Sequence, residues 1–426
     1  MKFYTIEQVA KICSVSQKTI RRKIASRELM AKKVGTLWRI DEDDLKHWLD
    51  GRDLNIESWN DNQNTALQLD IFGGEIPVIQ SSGNNIKKDI VNWINISDYW
   101  DKKFNKSYNF IDLFSGAGGL SLGLELAGFT GIAAVEFEKS ACETYKNNFN
   151  HPVISDDIRE HSTKKVLYEL IKNKFNSNSV DLICGGFPCQ GFSLSGYRII
   201  EDERNSLYKD MIEIIEHIRP SFVLMENVIG LRSMLEGKIE EKIINDLNEL
   251  NYNVNVTTLN AADYYVPQLR NRVIFIANNL NKKNYQPKPL LTSKNYKNVK
   301  NSIEDLMYKE DDSSFNHVKT KHSLEMQERL KAVPEGESLY NNYSDAWKKC
   351  PWEKPSCTIK ENHGGVNIHP ILPRVITVRE MARLQSFPDN FIFKGSKKWQ
   401  MVQVGNAVPP LLGKAIGLAI RKSLEE

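Results

Sequence analysis

Five short apolar runs recur along the chain: FIDLF at 110–114, GIAAVEF at 131–137, DLICGG at 181–186, FVLMENV at 222–228 and VIFIA at 273–277. Helical stretches separate them. Near-continuous apolar strands alternating with helices require a parallel sheet covered on both faces. The rhythm therefore predicts an α/β domain with a doubly wound, mostly parallel sheet. It starts at Tyr108 and fades over residues 279–370, which are rich in Lys and Asn. It resumes at ITVREMARLQSFPDNFIF and closes with a helix over PPLLGKAIGLAIRKSL. The middle piece is expected to be an insertion or second lobe. A chain of 426 residues has room for two or three domains. The expected divisions are 1–50, 51–106, 107–278, 279–370 and 371–426.

Residues 1–50 form a unit of their own. Thr5 and Gln8 make a capping box that opens a helix over Ile6, Val9, Ala10 and Ile12. After a break at Ser14-Val15, Ser16 can cap a second helix, apolar at Ile20 and Ile24 and otherwise basic. KKVGTLWRI reads as a hairpin turning at Gly35-Thr36, and Asp41 opens a third helix with Leu45, Trp48 and Leu49 inward. This order is a winged helix-turn-helix, whose second helix enters the major groove. Arg21, Arg22 and Lys23 are its candidate DNA contacts. YTIEQVAKICSVSQKTIRRKI and VGTLWRIDEDDLKHWL resemble the excisionase-type DNA-binding module. A helical module that contacts protein is the other reading.

Charge is informative only locally. The chain carries 57 Lys+Arg against 54 Asp+Glu. Yet nine basic residues and one acid lie between Lys11 and Arg39, and six lysines without an acid between Asn281 and Lys300. Two such zones suggest polyanion contact at two places, with solvated faces as the alternative. The six cysteines form no C-x-x-C pair, so neither a zinc site nor a disulfide framework is expected. With no signal peptide and no apolar run of membrane-span length, a reduced, cytoplasmic, soluble protein is expected. Residues 51–106 read as linker. Within it, Gln68-Leu69-Asp70-Ile71-Phe72 resembles the pentapeptide by which bacterial proteins dock on the replication sliding clamp. Alternatively, Leu69, Ile71 and Phe72 pack back on the enzyme.

NFIDLFSGAGGLSLGLELAGF runs strand, glycine turn, helix. Gly116, Gly118 and Gly119 allow a tight bend and close approach of a ligand. The spacing is G-x-G-G, not the full dinucleotide fingerprint. Glu136 follows about 20 residues on, where a carboxylate can take both hydroxyls of a ribose. Asp157, in SDDI, can meet an adenine amino group. A nucleoside cofactor without a pyrophosphate is indicated, and S-adenosylmethionine fits.

Cys189 lies just past the C-terminal end of a parallel strand, where open α/β sheets bind ligands. The next strand puts Glu226 at the same edge, and QLRNR brings Arg270 and Arg272 there. A thiol nucleophile, a carboxyl and arginines beside a methyl donor suit one reaction. Cytosine C5 is too weak a nucleophile alone. Thiolate addition at C6 makes the ring enamine-like, and a carboxyl at N3 assists that addition. A base in a duplex must be flipped out to be reached this way. The Gly/Ser-rich QGFSLSGYR is expected to be a lid.

DLFSGAGG, GGFPCQGFS, MENV, QLRNR, REMARLQSFPDNF and QVGNAVPP, in this order over residues 108–278 and 370–422, resemble the bacterial DNA (cytosine-5) methyltransferases. The resemblance implies the S-adenosylmethionine-dependent methyltransferase fold with a small target-recognition lobe at 279–370. It makes Cys189 the nucleophile, Glu226 the N3 partner and Arg272 a residue near the base and Glu226. Arg270 joins this set in a structural or phosphate-contacting role, and Gln190 and Ser193 lie on the mobile loop facing DNA. The cofactor pocket is expected from Phe114, Ser115, Gly116, Gly118, Gly119, Leu120, Glu136, Phe137, Asp157, Ile158, Pro188, Leu207, Asn406 and Ala407. PSCTIKENHGG resembles the family's Thr-plus-glycine loop, which puts Thr358 on the target-strand backbone; His363 there is read as a solvated loop residue. Cys350 and Cys357 are read as structural.

The implied substrate is duplex DNA, with one target site and a cognate restriction endonuclease or an orphan role. A tRNA cytosine-5 methyltransferase shares the Pro-Cys-Gln chemistry and is the alternative, against which the first 50 residues argue. A further reading is a regulator that represses its own or a companion gene while carrying a methyltransferase body.

Overall fold

The computed structural model describes residues 3–12, 20, 23–24, 29–34, 37–41, 44–45, 91–174, 180–188, 207–340, 347–360 and 366–426. The chain divides into two compact units, Met1–Gln80 and Ser81–Glu426.

In the first unit, β1 (Phe3–Tyr4), α1 (Ile6–Ile12), β2 (Lys32–Val34) and β3 (Leu37–Asp41) are described. The expected capping box closes: Thr5 N–H donates to Gln8 Oε1 at 2.8 Å, and Gln8 N–H to Thr5 Oγ1 at 3.1 Å. The expected hairpin pairs Lys32 with Arg39 and Val34 with Leu37 in antiparallel register. Strand β1 adds to β3 and was not foreseen, because two residues are too few to show alternation. Tyr4, Ile6, Val9, Ile20, Leu29, Ile40 and Leu45 form the core. Arg21, Arg22 and the clamp-like Gln68–Phe72 lie outside the described residues.

The second unit is built on a seven-stranded sheet. Its strands are β5 (Tyr108–Leu113), β6 (Phe129–Glu136), β7 (Val153–Ser155), β8 (Leu182–Gly185), β9 (Phe222–Val228), β10 (Asn253–Asn260) and β11 (Asn271–Asn278). The spatial order is β10-β11-β9-β8-β5-β6-β7. From β7 to β9 every pairing is parallel; β11 and β10 run antiparallel. Alternation splits the core in two. Ile111 and Leu113 of β5 face Leu167, Met211, Ile215 and Ile243 on one side; Phe110 faces Leu124, Leu412 and Ile416 on the other. Burying each such side chain stabilises the fold by about 1.5–3 kcal/mol.

The last helix, Pro410–Glu425, explains why the strand-helix rhythm resumes near the C-terminus. It lies on Gly119–Leu126, and a Cβ on Gly123 would sit 2.5 Å from the Pro410 carbonyl oxygen. The end of the chain thereby completes the layer begun at its first sheet strand.

Residues 51–106 are not linker throughout. Segment 91–106 is part of the body: β4 (Asn92–Ile94) pairs in parallel with β12 (Tyr285–Pro287). The Phe104 ring lies 3.7 Å from the Arg421 guanidinium, and Lys414 is 4.4 Å from the Trp100 ring. Aromatics spaced among polar residues carry no periodic signal, so this docking was hidden.

The chain passes from β5 outward through β6 and β7, then crosses back to β8 and β9. The crevice beyond the C-terminal ends of β5 and β8 is the topological switch point, where such sheets bind ligands.

Candidate active site

The loop after β5 bends through Phe114, φ 59°, Gly116, φ 55°, and Gly118, φ 92°. A positive φ in Phe114 is uncommon for a residue with a Cβ and is held by its surroundings. A Cβ at Gly118 would lie 2.3 Å from the Phe149 ring, and one at Gly119 2.2 Å from the Val408 carbonyl oxygen. Those glycines are needed for packing. At Gly116 an added Cβ would meet nothing within 4 Å. Ser115 Oγ, in the same loop, is buried without a hydrogen-bond partner.

Glu136, at the end of β6, ties this loop down. Its Oε2 accepts from Gly116 N–H at 2.8 Å; its Oε1 accepts from Phe137 and Glu138 N–H at 3.0 and 2.8 Å. Burial raises its pKa, and these three bonds pull it back. A carboxylate has about four acceptor positions, so one remains. Phe137, beside it, is 71% exposed.

Asp157 accepts Arg159 Nε and Nη2 at 3.1 and 2.6 Å. That hydrogen bonding lowers its pKa. Ile158 is buried, Leu207 half-buried and Asn406 exposed.

Around the other side of the crevice, Glu226 and Arg272 meet. They come from β9 and the antiparallel β11, with Arg272 opposite Val228 and Ile274 opposite Glu226. Arg272 Nε lies 2.7 Å from Glu226 Oε1, each side chain being 11% exposed. A Cβ on Gly186 would lie 3.0 Å from Glu226 Oε2. The chain leading out of β8 therefore runs directly against the carboxylate. Asn227, which sequence reasoning passed over, fixes this approach: its Nδ2 donates to the Phe187 carbonyl at 3.0 Å. Its place beside Glu226 in MENV was the available signal. Pro188 is exposed at the end of this stretch. Cys189, Gln190 and Ser193 lie outside the described residues.

Arg270 does not face the crevice. It precedes β11, is 2% exposed, and donates to the carbonyls of Ile359, Gly405 and Ala407 at 3.1, 2.9 and 3.0 Å. Its phosphate-contact alternative fails for lack of exposure, and its catalytic placement is corrected to that of a brace. Thr358 Oγ1 donates to the Leu269 carbonyl at 2.9 Å. Cys350 is buried and hydrogen-bonded to Cys357. Lys23 is half-buried, and His363 lies outside the described residues. Among the described residues, no group of three or more His, Cys, Asp or Glu could hold a metal, and no helix is long and apolar enough to cross a membrane.

The profile of the family described as C-5 cytosine-specific DNA methylase matches residues 108–422, and that of a helix-turn-helix domain matches residues 3–53. Type II methyltransferase M1.HphI of Haemophilus parahaemolyticus is 39% identical over 332 residues, covering 74% of this chain and 87% of that protein. Type II methyltransferase M.DdeI of Desulfomicrobium norvegicum is 34% identical over 369 residues, covering 72% and 87%. The crystal structure of a DNA modification methyltransferase encoded within an Escherichia coli prophage superposes with a TM-score of 0.61 at 28% identity, covering 75% of this chain and all of that one.

Proposed function

The chain belongs to the C-5 cytosine-specific DNA methylase family and is a DNA cytosine-5 methyltransferase, and from that premise we propose that Cys189 and Glu226 act together on one flipped-out cytosine. The observation that supports this reading is the approach of the chain leaving β8 to Glu226: a Cβ added at Gly186, three residues before Cys189 in sequence, would lie 3.0 Å from Glu226 Oε2. The reading calls for thiol and carboxyl at one base, since addition at C6 and assistance at N3 act on the same ring. Arg272 holds Oε1 and leaves Oε2 for the base. Cys189 adds to C6 as Glu226 supplies a proton or hydrogen bond at N3. S-adenosylmethionine, when bound, supplies the methyl group taken by C5. Loss of the C5 proton then expels Cys189 and restores the ring.

The loop at Ser115–Gly119 fits that cofactor. An orphaned buried hydroxyl and an open glycine backbone lie beside Glu136, with an exposed aromatic at Phe137. Phe114, Leu120, Asp157, Ile158, Pro188, Leu207, Asn406 and Ala407 complete the proposed pocket, and Thr358, Gln190 and Ser193 the proposed DNA side.

The test is methylation of a sequence-diverse plasmid followed by bisulfite sequencing, for wild type and Cys189→Ser. C5-methylcytosine at one recurring site, absent from the variant, is expected. Transfer to tRNA alone would overturn the DNA assignment. That alternative is not favoured, since the DNA methylase family profile matches residues 108–422, the relatives above are Type II methyltransferases and residues 3–53 match a helix-turn-helix.

The finer readings rest on sequence. The enzyme serves a restriction–modification system or acts as an orphan methylase in the cytoplasm, and its N-terminal unit binds a promoter. Footprinting checks the last: protection should survive Cys189→Ala and be lost with Arg21→Ala and Arg22→Ala together. Deleting Gln68–Phe72 should abolish capture by the sliding clamp if that pentapeptide docks there.

A further inference from the structure

A buried polar unit connects the two loops assigned above to cofactor and DNA. Gln268 and Gln385 are fully buried, and Arg270 nearly so. Arg270 Nη2 holds the carbonyls of Gly405 and Ala407, while its Nη1 holds that of Ile359. Gln268 Oε1 accepts the Ile359 N–H at 2.8 Å. Its Nε2 donates to Gln385 Oε1 at 2.7 Å, and Gln385 Nε2 donates to the Val404 carbonyl at 2.8 Å. The Ile359 carbonyl thus ends on Arg270, which also holds Gly405 and Ala407, and its N–H ends on Gln268, which reaches Val404 through Gln385. At one end, Thr358 adjoins Ile359. At the other, Gly119 of the glycine loop packs directly on Val408. Two residues past Arg270, Arg272 holds Glu226.

Apolar side chains would fill this space and tie no backbone. Here, a shift of segment 404–408 must either carry the Thr358 loop with it or strand buried polar groups, at about 1–3 kcal/mol each. Charge-assisted bonds from one guanidinium to two loops make the joint stiff.

We propose that Arg270, with Gln268 and Gln385, is a positioning unit that couples filling of the cofactor pocket to ordering of the Thr358 loop, so that cofactor and target strand bind cooperatively. This inference rests on the reading of the two loops given above.

Hydrogen exchange on the full chain, with S-adenosylhomocysteine and without DNA, tests it in the unaltered protein. Exchange should slow at 114–120 and 404–408, where the ligand binds, and also at 355–360. The helix Lys238–Glu249 should not change. Slowing at the first two segments but not at 355–360 overturns the coupling. No slowing anywhere overturns the cofactor reading itself, and the coupling with it.

A second measurement compares S-adenosylhomocysteine Kd with and without duplex. Wild type should bind roughly 5- to 150-fold more tightly with duplex. Arg270→Lys keeps the charge but loses the planar fork. It should bring that ratio close to 1 with little change in the duplex-free Kd. An unchanged ratio in folded Arg270→Lys overturns the proposal; a variant that does not fold leaves the exchange experiment to decide.

Discussion

The sheet edge and the segment 374–393 are held together by opposite means. In β9 every residue from Phe222 to Met225 is buried and apolar, and a single carboxylate, Glu226, is placed by strand register. In the segment 374–385 the buried set includes Arg374, Thr377, Arg379, Glu380 and Gln385. Arg379 donates to the carbonyls of Phe315, Pro388 and Phe391 at 3.0, 3.0 and 2.8 Å. Arg374 forks onto Glu380, and Asn316 exchanges two hydrogen bonds with the backbone of Phe393. A regular sheet satisfies its own backbone and needs only apolar cover. Irregular chain must find partners for its carbonyls one at a time, and buried arginines and amides supply them. A site on the sheet can therefore lose a functional group without losing its frame, whereas the irregular segment cannot lose a brace.

The largest effect that would break this contrast is at Glu226. Glu226→Gln keeps the shape and a partner for Arg272 but removes the acid. Its kcat should fall by about 10²- to 10⁴-fold, with the sheet still folded. Single-turnover methyl transfer beside a thermal melt reads both. A near-normal kcat, or a collapse of the fold without the acid, would put Glu226 among the braces.

Arg379→Met is the reverse case. It removes the donor to three carbonyls, of which the Phe391 bond is buried and the other two part-buried, and a loss of about 1–3 kcal/mol is expected. Urea unfolding followed by fluorescence measures it. A loss below about 1 kcal/mol, the net worth of a single ordinary hydrogen bond, would mean that this segment does not depend on the brace.

Between the extremes lies Asp112, a buried acid near the C-terminal end of β5. It accepts from Ser121 Oγ at 2.5 Å; Ser121 contacts Tyr145, and Tyr145 contacts His151. Burial raises its pKa to about 7 from 3.8. Folded Asp112 keeps its proton up to about pH 7, whereas the unfolded chain loses it near 3.8, so folding binds a proton between those values. Stability should fall as pH rises through that window and level off above it. Asp112→Asn should remove this slope and be no less stable than wild type at pH 8. The difference is on the order of a few kcal/mol at most. Melts of both proteins from pH 4.5 to 8 decide it; parallel curves would mean that Asp112 is already ionised in the fold.

The same contrast sets what the sequence disclosed. Five of the seven strands of the sheet were legible because burial on both faces writes apolar runs; β7 is short and β10 alternates with polar residues at the sheet's edges. Glu136 and Glu226 were legible because a charged residue ending such a run has few other reasons to be there. For Arg270 the sequence left a structural and a phosphate-contacting role open, because nothing local says that it precedes the strand and turns inward while Arg272 lies on it. Gln268, Arg379 and Gln385 gave no sign of burial, since long polar side chains are mostly exposed. β4 was hidden by its brevity, and its partner, β12, lies nearly 200 residues away, where no local pattern connects them.

The smallest expected effect concerns local chemistry alone. Thr5 and Gln8 close a capping box within four residues. That box was readable because its donors and acceptors are neighbours in sequence. Thr5→Ala removes the acceptor for the Gln8 N–H and should cost about 1 kcal/mol. Because contacts divide the chain at Gln80, the loss should fall on the first unit. Calorimetry should show a lower transition for that unit and an unchanged one for the methyltransferase body, with methylation of non-promoter sites preserved. If both transitions move together, the two units unfold as one. The distinction between a locally capped module and a sheet held by long-range burial would then fail for this chain.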